Sequence, residues 1–187
     1  NTPQFIGLLL NYRVINLNAQ LKYKFNDDLN VILNGDYVRN VAFKRKELCR
    51  NVNSTSGSNP PYNNVFDPVP GNDPIRGNLC AVGSTTSFVG GNQGYMGTLA
   101  VGHDDLFKKG AWQAKFGYRY LESDAVLDAF TDSDFHLGGT NAKGYTIGAK
   151  ASLFDGMTVG ARWMSANEVS GDPFRIDVLQ ADIEVKF

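Results

Sequence analysis

From Leu179 to Phe187 the chain reads Leu-Gln-Ala-Asp-Ile-Glu-Val-Lys-Phe. Every odd position is apolar and every even position is polar or charged. That is period two, the signature of a strand with one greasy face and one wet face. A helix cannot present such a pattern on two clean faces. The aromatic Phe187 stays in phase at the last position, where chain ends ordinarily fray.

The pattern recurs along the chain. Ile15, Leu17, Ala19, Leu21, Tyr23 and Phe25 alternate with Asn16, Asn18, Gln20, Lys22 and Lys24. After the turn Asn26-Asp27-Asp28, a second run goes from Leu29 to Val41, broken only by Ile32 and Val38. Tyr95 to Val101, Trp112 to Tyr120, Gly144 to Leu153, Met157 to Met164 and Arg175 to Phe187 complete seven predicted strands. Within 122–142, residues 125–130 have room for one helical turn. Residues 3–12 hold an apolar run of unclear period.

Three predicted connections are short, at 26–28, 104–110 and 154–156. Three are longer, at 44–92, 122–142 and 165–173. They alternate, and alternate connections of a meander lie at opposite ends of its sheet. This asymmetry predicts an all-β antiparallel transmembrane barrel, a single segment spanning 1–187. In that reading the apolar residues face lipid. A lumen is lined by Lys22, Lys24, Asp36, Lys115, Arg119, Lys150, Arg162, Asp182 and Glu184. Aromatics near strand ends, Tyr23, Phe25, Tyr37, Trp112, Tyr120 and Phe187, supply interfacial girdles. A soluble sandwich or closed barrel with one buried face has the same period and is the alternative fold.

Composition narrows the chemistry. With 18 basic and 19 acidic residues, no basic nucleic-acid surface is indicated. No apolar run is long enough for a membrane-spanning helix. The first residue is Asn1, so a leader was removed or the chain is a piece of a longer one. Cys49 and Cys80 both fall in 44–92; a disulfide and two free thiols are both open readings.

No catalytic or metal constellation emerges. His103 lies near a short turn and His136 in a long connection, so they cannot share an ion. Residues 90–94 lack the Lys-Ser/Thr and helix of a phosphate cradle. The loop acids Asp67, Asp73, Asp124, Asp128, Asp132 and Asp134 match no calcium-loop spacing and read as solvated. Neither an enzyme nor a cofactor is expected. Basic residues outnumber acidic ones on the predicted lumen wall; a weak anion bias and an unselective mixed-charge wall are both open readings.

Three stretches carry a family resemblance. They are Gly117-Tyr118-Arg119-Tyr120-Leu121-Glu122-Ser123-Asp124-Ala125-Val126 with Asp132-Ser133-Asp134-Phe135 and Gly138-Gly139-Thr140-Asn141; Ala161-Arg162-Trp163-Met164-Ser165-Ala166-Asn167-Glu168; and Pro173-Phe174. Together they cover most of 94–187, and they resemble the Gram-negative "putative porin" family. The resemblance implies the carboxy-terminal strands of a larger barrel, a passive pore for small hydrophilic solutes or ions. A small non-conducting barrel with a structural or adhesion role is the alternative. Leu179, Ala181, Ile183, Val185 and Phe187 resemble the terminal signal that outer-membrane barrels present to the insertion machinery. Implied partners are outer-membrane lipid, lipopolysaccharide, that machinery and a homo-oligomer such as a trimer. The implied location is the bacterial outer membrane.

Overall fold

The hairpins form where turn chemistry interrupts alternation. At Asn26 the side-chain Oδ1 accepts hydrogen bonds from the N–H groups of Asp28 and Leu29, at 3.0 and 2.7 Å, and so closes the first turn. Gly156 has φ +80°, a left-handed conformation that strains any residue with a Cβ, and its N–H donates to the carbonyl of Phe107. A computed structural model describes residues 11–26, 28–44, 90–170 and 173–186.

Seven strands follow in order. They are β1 (Val14–Lys24), β2 (Leu29–Asn40), β3 (Gln93–His103), β4 (Trp112–Leu121), β5 (Ala142–Phe154), β6 (Met157–Glu168) and β7 (Arg175–Val185). Each pairs antiparallel with its neighbour in sequence, giving one sheet of order β1 to β7. The predicted helical turn is a single 3-10 turn at Asp128–Phe130. The third long connection is shorter than predicted, because β6 continues to Glu168.

Register sorts the side chains onto two faces. Leu21, Leu33, Leu99, Phe116, Ile147, Trp163 and Leu179 form one row across all seven strands. Most of this face is exposed, with Leu21 at 70% and Leu179 at 75%. Toward the long-connection end, Tyr37, Tyr95 and Tyr120 share a row, and the rings of Tyr95 and Tyr120 stack 5.0 Å apart. Ile183 and Val185 of the terminal pattern lie exposed on this face. Phe187 lies outside the described residues, as do residues 3–10.

The sheet is open, which corrects the expected transmembrane barrel. Among the described residues β1 pairs only with β2, and β7 only with β6. The reason is partly arithmetic. In a seven-stranded meander the first and last strands run in the same direction, so closure demands one parallel pair in an otherwise antiparallel sheet. The sheet is not strongly curled. Alternation recorded one apolar and one polar face, and an open antiparallel sheet has those as readily as a closed one. A sheet with two edges encloses no passage. Neither the passive pore nor the small non-conducting barrel therefore describes this chain. The outer-membrane location and the lipid, lipopolysaccharide, insertion-machinery and trimer partners rested on closure and are withdrawn with it. No helix among the described residues is long and apolar enough to cross a membrane. Cys49 and Cys80, the candidate disulfide pair, lie outside the described residues, among which there is no cysteine.

Candidate functional site: a roofed cleft on the polar face

All nine charged positions expected to line a passage share the second face of the sheet. Lys22, Ile32, Ala100, Lys115, Gly148, Arg162 and Gln180 form one row. Lys24, Asn30, Gly102, Gln113, Lys150, Gly160 and Asp182 form the row nearer the short turns. Asp36 and Arg119 belong to a third row with Asn18, Met96, Gly144, Ala166 and Ile176. Glu184 sits opposite Thr158. A common face does not make a common environment.

Toward the short turns the charges pair in the open. Lys22 Nζ lies 2.7 Å from Asp104 Oδ2, and this hydrogen bond holds the Asp104 carboxyl below the usual carboxylate range. Lys150 pairs with Glu184. Such exposed pairs contribute little to stability.

Beneath residues 122–141 the face is different. This connection folds back over β4–β7 instead of standing in solvent. Phe135, 3% exposed, packs with Ala142, Met164, Ala166 and Val178 in a small core on the otherwise polar side. Two loop acids reach the wall. Asp132 Oδ2 lies 3.8 Å from Arg119 Nη2, and Asp134 Oδ2 accepts a hydrogen bond from Arg162 Nη2 at 2.9 Å. The Arg119 guanidinium also sits 4.8 Å above the centre of the Phe135 ring, a cation–π contact. Burial lowers the Arg119 pKa, and Asp132 opposes that shift. Arg162 is further held by Gln180, whose Oε1 accepts from Nε at 2.9 Å.

The loop is braced internally. Asp128 Oδ1 accepts from the Thr140 N–H at 2.9 Å and from its hydroxyl at 2.7 Å. Thr131 Oγ1 accepts from the Gly139 N–H at 2.8 Å. Asn40 Nδ2 donates to the Asp124 carbonyl at 3.0 Å. Burial raises the Asp124 pKa, with hydrogen bonds from Ser123 and Tyr12 opposing. Burial, together with the nearby Asp124, pushes the Tyr12 phenol up to about 12.

Between roof and wall lies a cleft of about 230 Å³. Lys115, Arg119 and Arg162 border it, with Thr98 and Thr146 alongside and Asp132 and Phe135 above. A neighbouring cleft of about 250 Å³ shares Met96, Arg119 and Asp132 and extends to Asp36 and the exposed Phe130. The structure therefore brings together Lys115, Arg119 and Arg162, and leaves Lys22, Lys24, Lys150, Asp182 and Glu184 outside this cleft. Sequence reasoning missed Asp132, Asp134, Phe135 and Gln180 as members of the site. One signal was Met164, a large apolar residue on the polar side of β6.

His103 ends β3 and receives the Trp112 N–H at 3.2 Å, while His136 Nε2 lies 3.1 Å from the Phe174 carbonyl oxygen. They stay at opposite ends of the sheet. No group of three or more metal-ligating side chains occurs among the described residues.

The fold and the site define an antiparallel sheet with one apolar and one charged face, over which a docked loop forms a cleft. The chain belongs to the family described as "Putative porin", whose model matches residues 1–187. That family is one of non-catalytic transport, and the chain is not an enzyme. No curated protein matches it.

Proposed function

We propose that this chain is the carboxy-terminal part of a longer family member and that its polar face contacts small hydrophilic solutes. The observation that carries the reading is the cleft bordered by Lys115, Arg119 and Arg162, on a face where Gly148 separates Lys115 from Arg162. Fixed side-chain charges attract and orient small polar molecules without cofactor or covalent chemistry. The remaining face charges, Lys22, Lys24, Asp36, Lys150, Asp182 and Glu184, lie outside that cleft and take no part in this contact. Family membership supports a role in transport rather than turnover.

The length reading is tested by the encoded polypeptide. It is expected to extend on the amino-terminal side of Asn1; a protein that starts there contradicts it. The contact reading is tested by thiol labelling of the full protein with Cys49 and Cys80 replaced by serine. Thr146→Cys and Lys115→Cys are expected to be shielded from a hydrophilic reagent by at least one of a neutral sugar, an anion or an organic cation. Lys108→Cys, in an exposed turn, is expected to be unaffected. Absence of shielding by any solute at either cleft position overturns the reading.

A further inference from the structure

Two glycines leave bare backbone among the side chains of the cleft: Gly117, which borders the cleft, and Gly148, which pairs with both Lys115 and Arg162. In one row Lys115, Gly148 and Arg162 are successive partners on β4, β5 and β6. In the next row Thr98, Gly117 and Thr146 are successive partners on β3, β4 and β5. Each glycine thus lies between two functional side chains. Neighbouring strands are about 4.8 Å apart, so Lys115 and Arg162 flank a gap of about 10 Å with only backbone beneath it. A Cβ at Gly148 would fall 3.3 Å from the Ala161 carbonyl oxygen and enter that gap.

The charges around the gap do not cancel. Arg119 faces Asp132 and Arg162 faces Asp134. Lys115 has no carboxylate partner among the described residues, which leaves one excess positive charge. Hydroxyl donors stand beside it. Thr98 Oγ1 already accepts from Asn34 Nδ2 at 3.0 Å, so its own hydrogen remains available. The Thr146 hydroxyl has no hydrogen-bond partner among the described residues, and Thr146 borders the same cleft. One unneutralised ammonium, two hydroxyl donors and bare glycine backbone are complementary to an oxyanion. At about 230 Å³, below the usual range for drug-sized ligands, the cleft suits a small one.

We propose that the cleft between Lys115 and Arg162 is an oxyanion seat, taking a carboxylate or phosphate group on Lys115, with Thr98 and Thr146 as donors and Arg162 as the far wall. This rests on the solute-contacting reading but adds ligand class and a residue-specific seat. Loop acids Asp132 and Asp134 keep the arginines occupied, so Lys115 is the group that confers the preference.

The test is calorimetric titration of the full protein with inorganic phosphate and, separately, acetate. Both are expected to bind, phosphate the more tightly for its greater charge. Lys115→Gln is expected to weaken both by about tenfold, the scale of one charge-assisted hydrogen bond. Lys115→Arg is expected to retain binding, and Gly148→Ala to weaken it without altering the charge. Lys24→Gln, on the same face but outside the cleft, is expected to change nothing. Equal weakening by Lys115→Gln and Lys24→Gln would mean diffuse attraction and overturn the seat. Failure of the unaltered protein to bind either probe overturns it too. Shielding of Thr146→Cys by a neutral sugar, with no anion binding, would leave the solute-contacting reading standing and remove only the seat.

Discussion

On β4–β6 the polar face carries Arg119 and Arg162 beneath a docked loop. On β1 it carries Lys22 and Lys24, and every residue of that strand is exposed. The alternating pattern is as clean in one place as in the other. What separates them is Phe135. By burying its ring on Met164 and Ala166, the loop brings Asp132 and Asp134 within reach of the arginines. A cation under a roof is held in place and partly desolvated, whereas one on an open strand is bathed in water. Equal sequence patterns thus give a structured cleft at one site and a solvated surface at the other.

Removing the ring should erase the contrast, and this is the largest effect expected. Phe135→Ala is predicted to cost about 3–5 kcal/mol of loop docking, from lost burial plus the cavity left behind. Phe130, 80% exposed on the same loop, provides the internal comparison. Phe130→Ala should stay within about 0.5 kcal/mol, as surface changes do. Urea denaturation of the two variants measures both.

Next comes Arg119→Gln, which loses the stacking on Phe135 as well as the charge facing Asp132. A partly desolvated cation–π contact is worth about 0.5–2 kcal/mol, and the expected loss lies in that range. Lys22→Gln, which breaks the exposed pair with Asp104, should shift the unfolding midpoint much less than Arg119→Gln does. A loss at Lys22 as large as that at Arg119 would end the distinction between roofed and open charge.

A smaller effect is set by pH. Burial raises the Asp124 pKa in the folded chain, so the folded state holds its proton more tightly than the unfolded state. In the window from the unfolded value up to the raised folded value, stability falls as pH rises. This group therefore favours the fold on acidification through that window, opposite to a salt-bridged carboxylate. Asp104, held down by Lys22, contributes in the opposite sense, losing stability as pH falls through its lowered value. Asp124→Asn should flatten the first component, seen as a smaller difference in denaturation midpoint between neutral and mildly acidic pH.

Much of the sheet was legible because alternation is a local property. Leu29 to Val41 declares a strand wherever it sits, and Asn26 declares the turn before it. Closure is not local: nothing in the residues of β1 or β7 states which strand lies beyond the edge. The roof was hidden for a similar reason. Asp134 and Arg162 are 28 residues apart, and no periodicity links them. Loop composition marked 122–142 as polar and therefore solvated, yet its acids are spent on wall arginines and backbone N–H groups. The irregularity at Met164 was visible, and its meaning depended on Phe135 lying opposite.

Amide hydrogen exchange of the loop tests the docked roof most directly. The N–H groups of Gly139 and Thr140, bonded to Thr131 Oγ1 and Asp128 Oδ1, are predicted to exchange slowly, and to become fast in Phe135→Ala. Exchange in the unaltered protein at the rate of a free, solvated loop would contradict the docked roof and, with it, the cleft.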